Sequence, residues 1–409
     1  MREKEERQKE RNGVCAAAGF QAGAIRCGIK ESSPKNDTAV IYSEVPCSAA
    51  AVYTRNRVQA APIQVTKAHL ENGRARAVII NSGNANACAP DGQENALREA
   101  KACAKLLGIE AEDVVVCSTG VIGQRLNIEA IEKNLSAISL SEWGSGEAAE
   151  AIMTTDTVPK TAWTEFQAGG KTCRLGGICK GSGMIHPNMG TMLCALTTDC
   201  AVSPEVLQEA LRRKTAVSFN RVSVDGDTST NDTCCILANG LAGNPEITAA
   251  EGADYEAFAA ALEEICVTLA RKIAADGEGA GRLITCTVSG ARDEGTAEIL
   301  AKAVCSSSLV KAAMFGADAN WGRILCAMGY SGAEFDPEGT DVTFLSEAGE
   351  IAVCRDGRAV DFDEDVAKEI LSAPEVTIQV LLREGDASVT AWGCDLTYEY
   401  VRINGDYRT

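Results

Sequence analysis

Short apolar runs broken by Gly, Pro and Asn dominate the chain from residue 14 to about 80. Ala39-Val-Ile-Tyr and Arg76-Ala-Val-Ile-Ile are among them, and the pattern predicts strands of a sheet. The loop Asn81-Ser-Gly-Asn-Ala-Asn-Ala follows, gathering backbone and amide groups at a strand end before a helical stretch over 96–107. Val114-Val-Val-Cys repeats the arrangement: a strand feeds Ser118-Thr-Gly-Val-Ile-Gly, and a helix is expected over 128–138. Between 177 and 199 two apolar stretches flank Lys180-Gly-Ser-Gly-Met-Ile-His-Pro-Asn-Met-Gly, which is too rich in glycine for a helix and predicts a loop entering a strand at Thr191. Ser203-Pro-Glu opens a helix with a cap residue and Pro in the first turn. The recurrence of about 3.6 residues over 255–275 marks a long helix that ends at Asp276-Gly-Glu-Gly-Ala-Gly. Beyond it the pattern predicts a strand over 282–288, a helix over 296–315 and short strands with one helix near 365–371 over 342–380. A last strand over 388–400 leads to a C-terminal tail. No internal repeat or low-complexity linker interrupts the series.

An apolar fraction of 45% in 409 residues is ample for a buried core, and the length suits two closely packed lobes. The 39 basic and 57 acidic side chains leave a formal charge of -18, which repels nucleic acid and anionic membrane surfaces and favours small-molecule or protein partners. No run approaches the ~18 apolar residues of a spanning helix. The first dozen residues, mixed in charge and without an apolar signal region, are expected to form a flexible solvated tail. Eighteen cysteines are spread from Cys15 to Cys394 with no Cys-x-x-Cys pair, so they read as small buried apolar residues in a reducing cytoplasm, with no metal site expected.

Only two histidines are present. His69, in a helical context, is expected at the surface and solvated; His186, in the glycine loop, has no convincing Ser or Cys partner with an orienting Asp, so a Ser-His-Asp arrangement is weakly encoded. Gly169-Gly-Lys-Thr lacks the glycine six residues before the lysine that a phosphate loop needs, since Glu165 stands there; a hairpin turn accounts for it. What remains is Thr191 behind Gly190. Attack of its hydroxyl on the Gly190 carbonyl, followed by hydrolysis, would leave Thr191 as a new N-terminus whose amine, with an unperturbed pKa of about 7.7 to 8.0, can serve as base for its own hydroxyl. On the residues alone the same pair also reads as an ordinary strand start.

Lys180-Gly-Ser-Gly-Met-Ile-His-Pro-Asn-Met-Gly-Thr-Met-Leu resembles the self-cleavage signature of the ornithine acetyltransferases, also called bifunctional glutamate N-acetyltransferases. Gly19-Phe-Gln-Ala-Gly, Asn81-Ser-Gly-Asn-Ala-Asn-Ala, Ser118-Thr-Gly-Val-Ile-Gly, Met153-Thr-Thr-Asp-Thr, Val224-Asp-Gly-Asp-Thr-Ser-Thr-Asn-Asp, Asp276-Gly-Glu-Gly-Ala and the 404–409 terminus are similar to family segments in family order, so the likeness runs from residue 14 to 409. The resemblance implies that Thr191 is the nucleophile in self-cleavage and in acetyl transfer. It implies that Thr119 and Gly120 form the oxyanion hole, and that Thr157, Lys180, Glu278, Asn404 and Thr409 join Thr191 in binding substrate. Where the family commonly has Ala before the nucleophile this chain has Gly190; cleavage is expected to persist, at a rate the sequence leaves open.

The implied fold is mixed α/β, with stacked sheets covered by helices over 13–281 and a smaller C-terminal lobe over 282–409. The implied reaction moves acetyl from N-acetylornithine to glutamate in arginine biosynthesis without any cofactor. Acetyl-coenzyme A as a further donor stays open. Cleavage between 190 and 191 would give an α chain and a β chain, paired as two of each. Two alternatives stay beside this one: an N-terminal-nucleophile amidase or aminopeptidase that passes the acyl group to water, and a non-catalytic amino-acid or nucleotide-binding protein that stays uncut.

Overall fold

The computed structural model describes residues 11–30, 33–186 and 192–406. In chain order the strands are β1 (Phe20–Ile25), β2 (Thr38–Tyr53), β3 (Arg74–Asn84), β4 (Val114–Val121), β5 (Lys160–Ala168), β6 (Lys171–Lys180), β7 (Leu193–Thr198), β8 (Val222–Ser223) and β9 (Thr233–Ala238). They continue with β10 (Leu283–Ala291), β11 (Asp341–Ser346), β12 (Gly349–Arg355), β13 (Arg358–Ala359), β14 (Glu375–Leu381) and β15 (Ala387–Cys394). The helices are α1 (Ala61–His69), α2 (Gly92–Leu107), α3 (Ile128–Asn134), α4 (Ser145–Ala151), α5 (Pro204–Ala216), α6 (Ala253–Ala275), α7 (Glu294–Ser306), α8 (Ser308–Phe315), α9 (Trp321–Gly329), α10 (Glu364–Leu371) and α11 (Tyr398–Asp406).

The order β4-β3-β2-β9-β7-β6-β5, with β1 on β2, is folded in half along the long strand β2. Pairing of β2 with β3 breaks register between Tyr42 and Cys47, where Pro46 cannot donate to the ladder. Val78, Ile80, Val115 and Cys117 of one half share a core with Ile178, Leu193, Ala195, Cys235 and Leu237 of the other. Lys180 at the end of β6 reaches Thr119 on β4 although four strands lie between them in the ladder, a contact a flat sheet would not allow. Helices cover the outside. Ile79 and Val116 pack with Ala96, Ala100 and Cys103 of α2, whereas Cys194, Leu196 and Ile236 pack with Leu207 and Leu211 of α5 and Phe258, Leu262, Leu269 and Ile273 of α6. This is the stacked-sheet α/β body that the resemblance implied.

The second sheet, β13-β12-β11-β14-β10-β15-β8, has its own core with α7 to α10, and β8 ties it to the first unit by pairing with β15.

Three local readings change. His69 is buried, because it follows Val65 and Thr66 on the inner face of α1, and its Nδ1 lies 2.8 Å from the Val114 carbonyl. The helix expected over 296–315 is two helices, broken at Ser307, whose hydroxyl caps the second through the Val310 N–H. The last strand stops at Cys394, and residues 398–406 are helix rather than strand and tail. The strand expected to begin at Thr191 is described from Leu193, and residues 187–191 lie outside the described residues. Of the cysteines, all but Cys88 and Cys326 are buried, and Gly169-Gly170 is the β5–β6 hairpin turn, as expected.

Candidate active site

The ends of β3, β4 and β6 meet at one corner of the sandwich. Thr119 and Gly120 close β4 against Ser82 and Gly83 of β3. Gly120 has φ +130, and a Cβ there would collide with the Gly83 carbonyl carbon and the Asn84 nitrogen, so the two loop backbones approach as only glycine permits. Across the gap Lys180, the last residue of β6 and 8% exposed, reaches the Thr119 hydroxyl at 3.4 Å.

Behind Lys180 lies a charged network that sequence reasoning did not single out. Lys160, fully buried at the start of β5, holds Asp156 at 2.7 Å and Asp276 at 2.5 Å. Asp156 also accepts the Gly181 N–H at 2.7 Å. Burial pushes its carboxyl up, yet Lys180, Lys160 and these hydrogen bonds outweigh burial and hold it at about 2. Burial pulls Lys160 down, but Asp156 and Asp276 outweigh it and keep the amine above the ordinary lysine value. Asp276 stands at the C-terminal end of α6, where a carboxylate meets the negative end of the helix dipole, and Lys160 compensates it. It accepts the Thr157 N–H at 3.0 Å and the Thr157 hydroxyl, fixing that residue beside the network. Both acids fall in segments that carried the resemblance, but Lys160 does not, and its spacing from Asp156 is no helical pairing signal because residues 156–160 run from a turn into β5.

Glu278, 8% exposed, accepts the side-chain N–H of Asn404 at 2.7 Å, and its own N–H bonds the Ser182 carbonyl at 2.9 Å. Its carboxyl lies against the bare backbone of Gly183, where any Cβ would strike it. The C-terminal helix α11 is thereby docked beside the loop that follows Lys180.

That loop is held on both sides. Asp225 accepts the N–H groups of Met184 at 2.6 Å and Ile185 at 2.9 Å, Thr228 donates its hydroxyl to the His186 carbonyl at 2.7 Å, and His186 Nδ1 lies 3.0 Å from Ser223 Oγ. Burial and the charge of Lys302 lower the His186 pKa, so its ring is neutral near pH 7. On the far side Met192 accepts the Thr233 N–H at 2.9 Å. Beside it, buried Asp232 has its carboxyl raised by burial, and one of its oxygens has no partner among the described residues. Thr119, Gly120, Thr157, Lys180, Glu278 and Asn404 are thus grouped around this corner, while Gly190, Thr191 and Thr409 lie outside the described residues.

The molecule is an α/β sandwich that brings glycine loops, a buried lysine and clamped carboxylates together at converging strand ends. The chain belongs to the ArgJ family, whose sequence model matches residues 21–409. It is 51% identical to the arginine biosynthesis bifunctional protein ArgJ of Symbiobacterium thermophilum, over 97% of this chain and 98% of that protein. It is 49% identical to the protein of the same name from Caldanaerobacter subterraneus, over 96% and 97%. A solved structure of ornithine acetyltransferase complexed with ornithine, from Mycobacterium tuberculosis, is 40% identical with a TM-score of 0.39, covering 44% of this chain and 96% of that one. The expectation of an arginine-biosynthesis acetyltransferase is borne out. No helix among the described residues is long and apolar enough to cross a membrane.

Proposed function

We propose that the chain cuts itself between Gly190 and Thr191 and then carries acetyl from N-acetylornithine to glutamate on the Thr191 hydroxyl. The observation that supports this best is the grouping of Thr119, Gly120 and Lys180 beside two firmly anchored flanks of the 187–191 segment. In self-cleavage the Thr191 oxygen adds to the Gly190 carbonyl and the C–N bond breaks, giving an ester. Water then splits the ester into a Gly190 carboxylate and the Thr191 hydroxyl, on a residue whose amine was freed when the C–N bond broke.

In transfer, that amine takes the hydroxyl proton as the oxygen attacks the acetyl carbonyl. The Gly120 N–H and Thr119 hydroxyl face the developing oxyanion, and ornithine leaves with the proton on its nitrogen. The glutamate amine attacks the acetyl ester through a second, similar tetrahedral state, and Thr191 is regenerated. Lys180 suits the α-carboxylate that both substrates carry, and Glu278, held by Asn404, suits the side-chain ammonium of the donor. Thr157 and Thr409 complete the substrate contacts, no cofactor takes part, and acetyl-coenzyme A remains a second donor to be assayed. The two fragments stay interlocked in a cytoplasmic assembly of two α and two β chains, with residues 13–281 as the catalytic body and 282–409 as the smaller lobe.

Transfer of labelled acetyl from N-acetylornithine to glutamate tests this reading. Acetylglutamate should form far faster than acetate, whereas acetate as the main product would indicate an N-terminal-nucleophile hydrolase.

A further inference from the structure

The two substrates pose an electrostatic problem that Lys180 and Glu278 do not solve. They share an α-carbon with its carboxylate and nitrogen, but the donor's side chain ends in an ammonium and the acceptor's in a carboxylate. Glu278 attracts the first and repels the second. A site that takes both in turn needs a separate cation for the acceptor.

Lys30 supplies one. Its side chain lies across Gly83, with Cγ 2.8 Å from where a Cβ on that glycine would stand, so it runs beside the Gly83–Gly120 contact of the oxyanion loop. Its Nζ donates to the Met153 carbonyl at 2.7 Å, and its other N–H groups have no partner among the described residues. Met153 and Thr157 line a cleft of about 510 Å³ together with Lys35, Asn36, Pro159 and the exposed Glu150. Thr157 joins this cleft to the Asp276 network behind Lys180.

Four charged groups bear on the Lys30 ammonium. Burial is the largest influence; with Lys180 and Lys35 nearby it outweighs Asp37 and Asp156 and brings the group down to about 8. The two carboxylates have other work: Asp37 takes the N–H groups of Cys27, Gly28 and Ile29, and Asp156 is bound to Lys160. Lys35 is exposed at the rim and solvated. Lys30 is therefore a partly buried cation with donors to spare and no committed counter-ion.

We propose that Lys30, at the Met153–Thr157 wall of the cleft, binds the side-chain carboxylate of the acceptor and so selects glutamate over neutral amino acids. This rests on the reading of glutamate as acceptor and adds the residue that recognises it.

The test compares glutamate with glutamine, its neutral isostere, as acceptor from N-acetylornithine, in the processed wild type, Lys30→Gln and Lys30→Arg. Loss of a charge-assisted hydrogen bond should lower kcat/KM for glutamate on the order of 10- to 100-fold in Lys30→Gln. The value for glutamine and the rate of ornithine release should change less than about threefold. In the wild type the glutamate-to-glutamine ratio should fall as pH rises through about 8, because the neutral amine loses its hold on the carboxylate. Dividing by glutamine cancels the shared titrations of the substrate amine and of Thr191. Lys30→Arg, charged throughout, should keep a high ratio without that fall, and it carries the test if Lys30→Gln does not fold. Equal losses for both acceptors, or a ratio that neither variant changes, would overturn the assignment. Absence of acetyl transfer in the wild type would instead overturn the reading of the reaction.

Discussion

Thr119 and Gly120 bear on catalysis through atoms that can be changed singly. Removing the Thr119 hydroxyl as Thr119→Val keeps the shape and deletes one donor, so kcat for transfer should fall by about 10² to 10³ with little change in stability. Steady-state kinetics beside a urea melt separate the two. Gly120→Ala should do worse and differently, because its Cβ has nowhere to go at φ +130; both melting and activity should suffer. At Glu278 the partner is Asn404, and Asn404→Ala should raise KM for N-acetylornithine several-fold while leaving the fold intact, since α11 is exposed at that position. These residues were legible because their segments resembled the family in order. Lys30 and Lys160 were not: lysines in unremarked segments read as surface charge, and only tertiary packing places one across Gly83 and buries the other between two aspartates.

At the scale of elements, the junction of β5, the 154–157 segment and the end of α6 is held by the Lys160 network. Lys160→Met would leave Asp156 and Asp276 buried without their shared cation, which should cost about 3 to 5 kcal/mol in a denaturant titration. Its pH dependence follows from Asp156. A carboxyl held at about 2 against an ordinary 3.8 contributes stability above pH ~4 and loses it as pH falls toward 2; the size is about 2 kcal/mol. Asp156→Asn should lack that part of the acid dependence, so its deficit relative to wild type should shrink between pH 5 and pH 2.5. Long elements were readable from periodicity: α6 was expected within a few residues of its observed span. Periodicity did not reveal the break at Ser307, where apolar spacing continues through a capped corner, or α11, whose alternation of aromatic and polar residues imitates a strand. The burial of His69 was hidden for a related reason, since a polar ring at a helix end looks solvated until a carbonyl is found for it.

In the whole molecule the sheet folded along β2 places both flanks of the 187–191 segment among strands that are paired on every side. Leu193 pairs with Lys180 and with Thr233, and Lys180 pairs with Lys160's strand through Cys179. A cut within 187–191 therefore leaves β6 and β7 bonded to each other, and the fragments should co-elute in native size exclusion and separate only in denaturant. The stacked-sheet class was legible from strand runs and resemblance together, but the bend that makes two layers from one ladder depends on a register shift near Pro46 that apolar spacing does not show. The central claim is that Thr191 is freed by self-cleavage and then carries the acetyl group. Intact mass of freshly purified protein under denaturing conditions, beside Thr191→Ala, tests it most directly. The account predicts two fragments meeting at Gly190 and Thr191 in the wild type and one uncut chain in the variant. A single full-length species from active wild-type protein would contradict it.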